Sequence, residues 1–251
     1  MQKIFNYQIL LRYMGLDIYV GSYTRYFTGN WENIVQQRGR EEGWDVQIIR
    51  PDDDDDDDAI TDPEDVRSAV LDWRREIETG LGNDLKEPLD WDESDDAPYF
   101  TDKPAWDGYG SLLLWAAYSE HPELKRPVAS TEDWYSDPAF QKSVEPDFRT
   151  SFPSLLRDVE AWLPAQFMFN FKAADLSGKE MHFGSAYSLR DELYHLNKTT
   201  WDATEETLTI WRREGAEHLA PLETLARCAF GMFWQLVNDA IEHRLIMKLD
   251  Y

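Results

Sequence analysis

Apolar residues recur along this chain at two spacings, one typical of helices and one typical of strands. The clearest helix is predicted over residues 61–79, where the apolar residues share one face: Val66, Val70, Trp73 and Ile77. Thr61 and Glu64 fit a capping box at its start. A second long helix is predicted from Leu219 onwards, because its apolar residues repeat at spacings of three and four.

Shorter patterns complete the predicted fold. Helices are predicted over residues 108–121 and 154–163, and after Ser188, which is the expected N-cap. Runs of β-forming residues predict strands near residues 15–22, 45–50, 166–173 and 179–183. The last two strands flank the turn Asp-Leu-Ser-Gly, so we expect a hairpin. The pattern predicts a single α+β domain over residues 1–251, predominantly helical, with a small sheet packed by about six helices.

Two acidic segments interrupt this pattern. Residues 51–60, PDDDDDDDAI, follow a predicted strand and precede the capping box. Adjacent like charges disfavour both helix and strand, so this segment is predicted to be a disordered acidic connector. Residues 83–106 are acidic and irregular, and are predicted to form a loop.

The charge of the chain limits the classes of molecule that it is expected to bind. The net charge is −24, and residues 52–96 contain 20 acids and four bases. Such a field repels nucleic acids and anionic membranes and attracts basic protein surfaces, although it could serve solubility alone. No run reaches the roughly 18 apolar residues of a membrane span, and the single cysteine, Cys228, fits a reducing compartment. We therefore expect a cytoplasmic protein that binds neither nucleic acid nor membrane.

The common catalytic motifs are absent from the sequence. It contains no phosphate-binding loop, dinucleotide fingerprint, nucleophile elbow or zinc-binding pattern. The sequence contains one set of possible metal ligands. Glu192 and His195 would share one helical face, and Asp239 and His243 would share another. Glutamate three residues before histidine is common by chance in an acidic protein, so we expect no metal site and no cofactor.

Tryptophan is more informative than histidine. Seven of the eleven tryptophans have an acidic neighbour in the sequence. A ring beside a carboxylate suits a cation, such as an arginine or lysine of a partner or a small ammonium ligand. Alternatively, these rings anchor loops onto the core. The residues predicted to contact a partner lie in three loop-like segments: Trp91, Asp92, Trp106, Asp107, Tyr109 and Trp134.

A second candidate site begins in the first predicted strand. Asp17 and Tyr19 would point to the same face of that strand and, with Arg25, form a candidate pocket. An enzyme could result if Asp17, Asp92 and Asp107 converged in one pocket. The alternative is a half-buried strand whose polar face meets solvent or a helix.

Three stretches of this sequence resemble a set of bacterial proteins to which no activity is assigned. The stretches are MGLDIYVGSYTRYFTGNWENIVQQ, FGSAYSLRDELYHLNKTTW and EHRLIMKLDY. The resemblance implies a bacterial or phage origin and one architecture over most of the chain. Those proteins begin at the equivalent of Met14, so residues 1–13 are interpreted as an upstream extension or as a short extra element at the edge.

Two functions from different classes remain open on the sequence. The first is an acidic interaction protein, of the immunity or inhibitor type, that binds a basic protein partner through residues 52–107. The second is an enzyme with a carboxylate-lined pocket. Salt-sensitive binding would favour the first function, and convergence of the three aspartates would favour the second.

Overall fold

The computed structural model describes residues 15–43, 62–131, 133–218 and 220–251. The predicted strand near 45–50, the predicted connector 51–60, residues 1–13 and the predicted cap Thr61 lie outside the described residues.

The described residues form one mixed sheet of six strands, in the order β2-β1-β6-β3-β5-β4. Strands β3 and β5 are parallel, and the other neighbouring strands are antiparallel. The strands are β1 (Asp17–Gly21), β2 (Phe100–Asp102), β3 (Ala161–Leu163), β4 (Phe171–Ala174), β5 (Glu180–Ser185) and β6 (Ile246–Asp250).

Nine α-helices lie within the described parts of the chain. Together with the sheet they confirm the predicted α+β, predominantly helical class. The helices are α1 (Tyr23–Phe27), α2 (Ile34–Glu41), α3 (Pro63–Leu81), α4 (Ala105–Glu120), α5 (Pro138–Val144), α6 (Pro153–Leu156), α7 (Ala186–Thr200), α8 (Glu205–Glu214) and α9 (Leu222–Glu242).

Apolar side chains pack against both faces of the sheet. On one face, α4, α7 and α9 pack over Ile18 and Met247 and form the larger core. On the other face, Trp73 of α3 lies 5.5 Å from Phe183, measured between ring centroids, and Ile246 belongs to the same cluster. Helix α4 is buried along most of its length, which explains why its sequence lacks a polar face.

The structure differs from the predicted elements at several strands. The helix predicted over 154–163 is wrong, because α6 ends at Leu156 and β3 follows. The strand predicted near 166–173 begins only at Phe171. Strands β2 and β6 were not predicted, since runs of three and five residues are too short to give more than a weak strand signal.

The N-terminal caps of α3 and α7 differ from those predicted. Asp62 caps α3, and its Oδ1 accepts a hydrogen bond from the Glu64 N–H at 2.9 Å. The prediction of Ser188 as an N-cap is wrong, because α7 begins one turn earlier and Ser185 is its cap. The structure also contains the short helices α1, α5 and α6, whose five, seven and four residues are too few to show a clear helical period.

A buried carboxylate holds the acidic segment 83–106 against the core. Glu93 accepts hydrogen bonds from the N–H groups of Tyr23 and Thr24, at 2.9 and 2.8 Å, where α1 begins. It also accepts one from Trp91 Nε1 at 2.7 Å. Arg25 donates to the carbonyl oxygen of Asp95 at 2.9 Å. The segment is thus tied to α1 at several points. It is not a loop throughout, because it contains β2 and its last two residues begin α4.

A second buried carboxylate joins α7 to α6. Both carboxylate oxygens of Glu192 lie 2.9 Å from the Ser154 N–H, near the start of α6. Burial raises the pKa of Glu192 to about 8, although the hydrogen bond from Ser154 favours the charged form. An unfolded glutamate has a pKa of about 4.3. Between these two values the unfolded chain has lost a proton that the folded chain keeps, so stability falls as the pH rises.

We expect Glu192→Gln to remove this loss of stability. The free energy of unfolding of the unmodified chain should fall, relative to that of the variant, by a few kcal/mol between about pH 4 and pH 8, and the difference should then stay constant. Denaturant unfolding across that range measures it, with Glu206→Gln on the exposed side of α8 as the control. Parallel curves for the unmodified chain and Glu192→Gln would contradict the raised pKa.

Candidate functional site

Four aromatic side chains line an open cavity of about 420 Å³, which we call the aromatic pocket. The ring centroids of Trp106 and Tyr251 are 5.1 Å apart, and those of Trp106 and Tyr109 are 6.2 Å apart. Trp134 completes the wall, 6.1 Å from Tyr109. The Trp106 side is exposed to solvent and Tyr109 is buried, so the pocket has a rigid floor and an accessible rim.

The aromatic walls come from three places in the fold. Trp106 and Tyr109 lie in the first turns of α4, just after Ala105, whose φ of 55° is unusual for a residue with a side chain. Trp134 begins a short 3₁₀ turn and packs on the backbone of α4 at Gly110. Tyr251 directly follows β6. The pocket therefore forms where the start of α4 meets the end of the sheet.

Carboxylates form the opposite side of the pocket. Asp158, Glu160 and Glu180 outnumber Lys172 among the lining side chains. The backbone of Glu160 is held on both sides, since its N–H donates to His182 O at 2.9 Å and its C=O accepts from Leu249 N at 2.8 Å. Its carboxylate accepts a hydrogen bond from the Tyr251 hydroxyl.

Asp158 is exposed and its carboxylate has no hydrogen-bond or ion-pair partner among the residues that the structure describes. Its φ of 53° places it in the left-handed region, at the turn between α6 and β3. Such a conformation costs free energy and is often found at binding sites. This turn directs the chain so that residues 158 and 160 both border the pocket.

The phenol groups of the pocket experience the negative field of these carboxylates. Burial, followed by repulsion from Asp158, raises the pKa of Tyr109 well above its usual value. The pKa of Tyr251 is raised by burial and by its hydrogen bond to Glu160. Both tyrosines stay neutral across the physiological range. The pocket thus combines neutral rings with negative charge, which is the environment that an organic cation prefers.

The structure brings together three of the six residues predicted to contact a partner, namely Trp106, Tyr109 and Trp134. Asp107 points elsewhere, and its Oδ2 lies 3.2 Å from His218 Nδ1. Trp91 is 3 % exposed and packs in the core beside Trp73, and Asp92 next to it accepts from the Ser94 N–H. An acidic neighbour in the sequence therefore does not make a tryptophan a surface residue.

The candidate pocket at Asp17, Tyr19 and Arg25 is filled by internal contacts. Asp17 is buried and accepts from Lys103 Nζ at 2.9 Å, and the buried Tyr19 hydroxyl donates to Ser22 O at 2.9 Å. Arg25 binds the acidic segment, as described above.

The three aspartates proposed for an enzyme have different partners. Asp17 pairs with Lys103, Asp92 with the Ser94 N–H, and Asp107 with His218. These contacts link the three aspartates to three different parts of the fold. The structure therefore supplies no observation that favours the enzyme over the interaction protein.

The possible metal ligands named from the sequence also contact separate groups. Glu192 binds the start of α6, His195 packs against the ring of Phe152, and Asp239 accepts from Gln235 Nε2 at 2.9 Å. Within residues 15–43, 62–131, 133–218 and 220–251, no group of three histidine, cysteine, aspartate or glutamate side chains could hold a metal ion. No helix in those ranges has the length and apolar composition required to span a membrane.

The sequence predicts three of the four rings of the aromatic pocket and none of its three carboxylates. Asp158 and Glu160 were assigned to a helix, and Tyr251 was assigned no role, although it lies beside Trp106. The triplet Asp158-Val-Glu160 before a short apolar run was the available signal, since alternation places residues 158 and 160 on one side of an extended chain.

We expect Gly110→Ala to displace Trp134 from the aromatic pocket. A Cβ atom at Gly110 would overlap the Trp134 ring, whereas one at Gly108 would lie 3.6 Å from Ala229 Cβ, an ordinary contact. The first substitution should cost about 1–3 kcal/mol of unfolding free energy and change the near-ultraviolet circular dichroism. Gly108→Ala, the control in the same helix, should be neutral or should stabilise by up to about 1 kcal/mol. Equal behaviour of the two variants would contradict the packing of Trp134 on Gly110.

Comparisons with family models, curated proteins and solved structures give no match to this chain. The function is therefore argued from the geometry of the site.

Proposed function

We propose that this chain is an acidic interaction protein of the immunity or inhibitor type, which binds a basic protein partner at the aromatic pocket. The observation that carries the proposal is the meeting of Trp106, Trp134 and Tyr251 with three carboxylates in one open cavity. Aromatic side chains and desolvated charges are the groups that dominate protein interfaces. An acidic rim attracts a basic surface from a distance and fixes its orientation.

Several other tryptophans among the described residues support this assignment by contrast. Trp201 stacks on Trp115, with ring centroids 5.0 Å apart, and Trp115 in turn lies under the guanidinium of Arg126 at 3.6 Å. Trp234 donates from its Nε1 to Glu205 at 2.8 Å. These rings already have an internal partner. Trp106, by comparison, is 37 % exposed and borders the same pocket as Asp158, whose carboxylate has no ion-pair partner among the described residues.

A cytoplasmic location is part of the proposal. Cys228 is a buried free thiol, and burial raises its pKa to about 11, so the thiol is held in its unreactive form. A protein of net charge −24 would be kept from nucleic acids by the same field that attracts a basic partner.

Arginine-rich peptides test the proposal. We expect a short arginine-rich peptide to bind at about 0.05 M salt and much more weakly at about 0.5 M salt, because screening shortens the range of the acidic field. A glutamate-rich peptide of equal length should not bind. Fluorescence of the tryptophans, with calorimetry as a second method, measures the affinity.

Two double variants that remove the same number of charges distinguish binding at the pocket from attraction by the overall charge of the chain. Asp158→Asn with Glu180→Gln should weaken peptide binding roughly tenfold. Asp72→Asn with Glu76→Gln, on the exposed side of α3, should change it far less. Equal losses in the two variants, or no binding at low salt, would contradict the proposed function.

A further inference from the structure

The aromatic pocket already contacts a cation from its own chain. Lys179 Nζ lies 4.9 Å from the centroid of the Tyr251 ring and 3.7 Å from Glu160 Oε1. One ammonium thus meets an aromatic face and a carboxylate at the same time. This arrangement shows which chemistry the pocket accommodates: a positive group between Tyr251 and Glu160.

The contact of Lys179 is weak enough to be exchanged. Its side chain is 54 % exposed, and it follows Gly178 at the tip of the hairpin between β4 and β5. Ion pairs with this exposure contribute little to stability. A ligand that makes one additional directed hydrogen bond could therefore replace Lys179 at little cost.

Further acceptor groups line the same pocket as Tyr251 and Glu160. Asp158 borders the pocket without an ion-pair partner in the described residues, and Trp106 presents an exposed ring. A compact ammonium makes these contacts as a point charge, without a planar face to stack on the ring and without a paired donor geometry. A planar guanidinium stacks on an aromatic ring and donates two parallel hydrogen bonds to a carboxylate, so it uses this set of groups more fully.

We propose that the aromatic pocket binds the guanidinium of an arginine side chain from the basic partner, and that this arginine displaces Lys179 from Tyr251 and Glu160. The inference rests on the proposed function and specifies the group that the partner inserts. Lys179 then acts as an internal placeholder, which holds Tyr251 and Glu160, two of the lining residues, until an arginine arrives.

The probe for this inference is N-acetyl-arginine amide, with N-acetyl-lysine amide as the competing chemistry. Binding is followed by tryptophan fluorescence and by calorimetry on the full chain. We expect the arginine derivative to bind more tightly than the lysine derivative. Trp106→Leu and Glu160→Gln should each weaken its binding by roughly tenfold. Thermal unfolding of each variant confirms that the fold is retained.

Substitution of Lys179 should change the affinity for the arginine derivative in the opposite direction. Lys179→Gln should bind the arginine derivative roughly threefold to tenfold more tightly, since the internal competitor is removed. Lys198→Gln, the matched control, makes the same charge change on α7, which contributes no residue to the pocket. Equal affinities of these two variants would overturn the displacement, and equal binding of lysine and arginine derivatives would overturn the choice of guanidinium.

The inference and the proposed function fail in different ways. If the arginine-rich peptide binds the chain but is unaffected by Trp106→Leu and Lys179→Gln, the arginine pocket is wrong and the acidic interaction surface stands. If the arginine derivative binds as described but the peptide shows no preference for the pocket carboxylates over those of α3, the pocket stands and the interaction protein does not.

Discussion

The antiparallel insertion of β6 between β1 and β3 is the constraint on which the rest of the structure depends. β6 pairs with β1 over five residues and with β3 over two, so it joins the first strand of the sheet to its other half. Every residue of β6 is buried. The pairing closes a loop of more than half the chain, and burial on both faces of the sheet must offset that entropy. The left-handed Arg244 turns the chain from α9 into this position.

The aromatic pocket is a direct consequence of this pairing. The N–H of Leu249 donates to Glu160 O, which aligns the end of β6 with the carboxylate that the Tyr251 hydroxyl contacts. Trp106 meets Tyr251 from the start of α4, a helix that the core holds on nearly all sides. Rings and carboxylates far apart in sequence are thereby fixed by the most buried elements of the fold. A site built on such rigid elements is pre-organised for its ligand.

Local signals in the sequence were sufficient for the class of fold and for part of the pocket. The helix from residue 61 and the final long helix were predicted because their apolar faces are long enough to show a period. The pairing of Trp106 with Tyr251 could not be predicted, since it depends on the long-range pairing of β6 with β1 and β3, which no local pattern in the sequence records. Trp91 was predicted to face a partner from its neighbours Asp90 and Asp92, yet Glu93, two residues from Trp91, is itself buried and binds the indole N–H. The presence of an acid next to a tryptophan in the sequence reflects the composition of the segment. The exposure of that tryptophan depends on the tertiary fold.

The direct test of the account is which tryptophans respond to an organic cation. Nuclear magnetic resonance of the indole N–H groups, during titration with N-acetyl-arginine amide, reports each ring separately, and Trp106→Phe and Trp134→Phe assign the two pocket signals. The account predicts that these two signals shift together and saturate, while Trp73 and Trp162, in the cores on the two faces of the sheet, do not move. Shifts confined to other tryptophans, or no saturable shift at all, would contradict a cation-binding pocket between α4 and the end of β6.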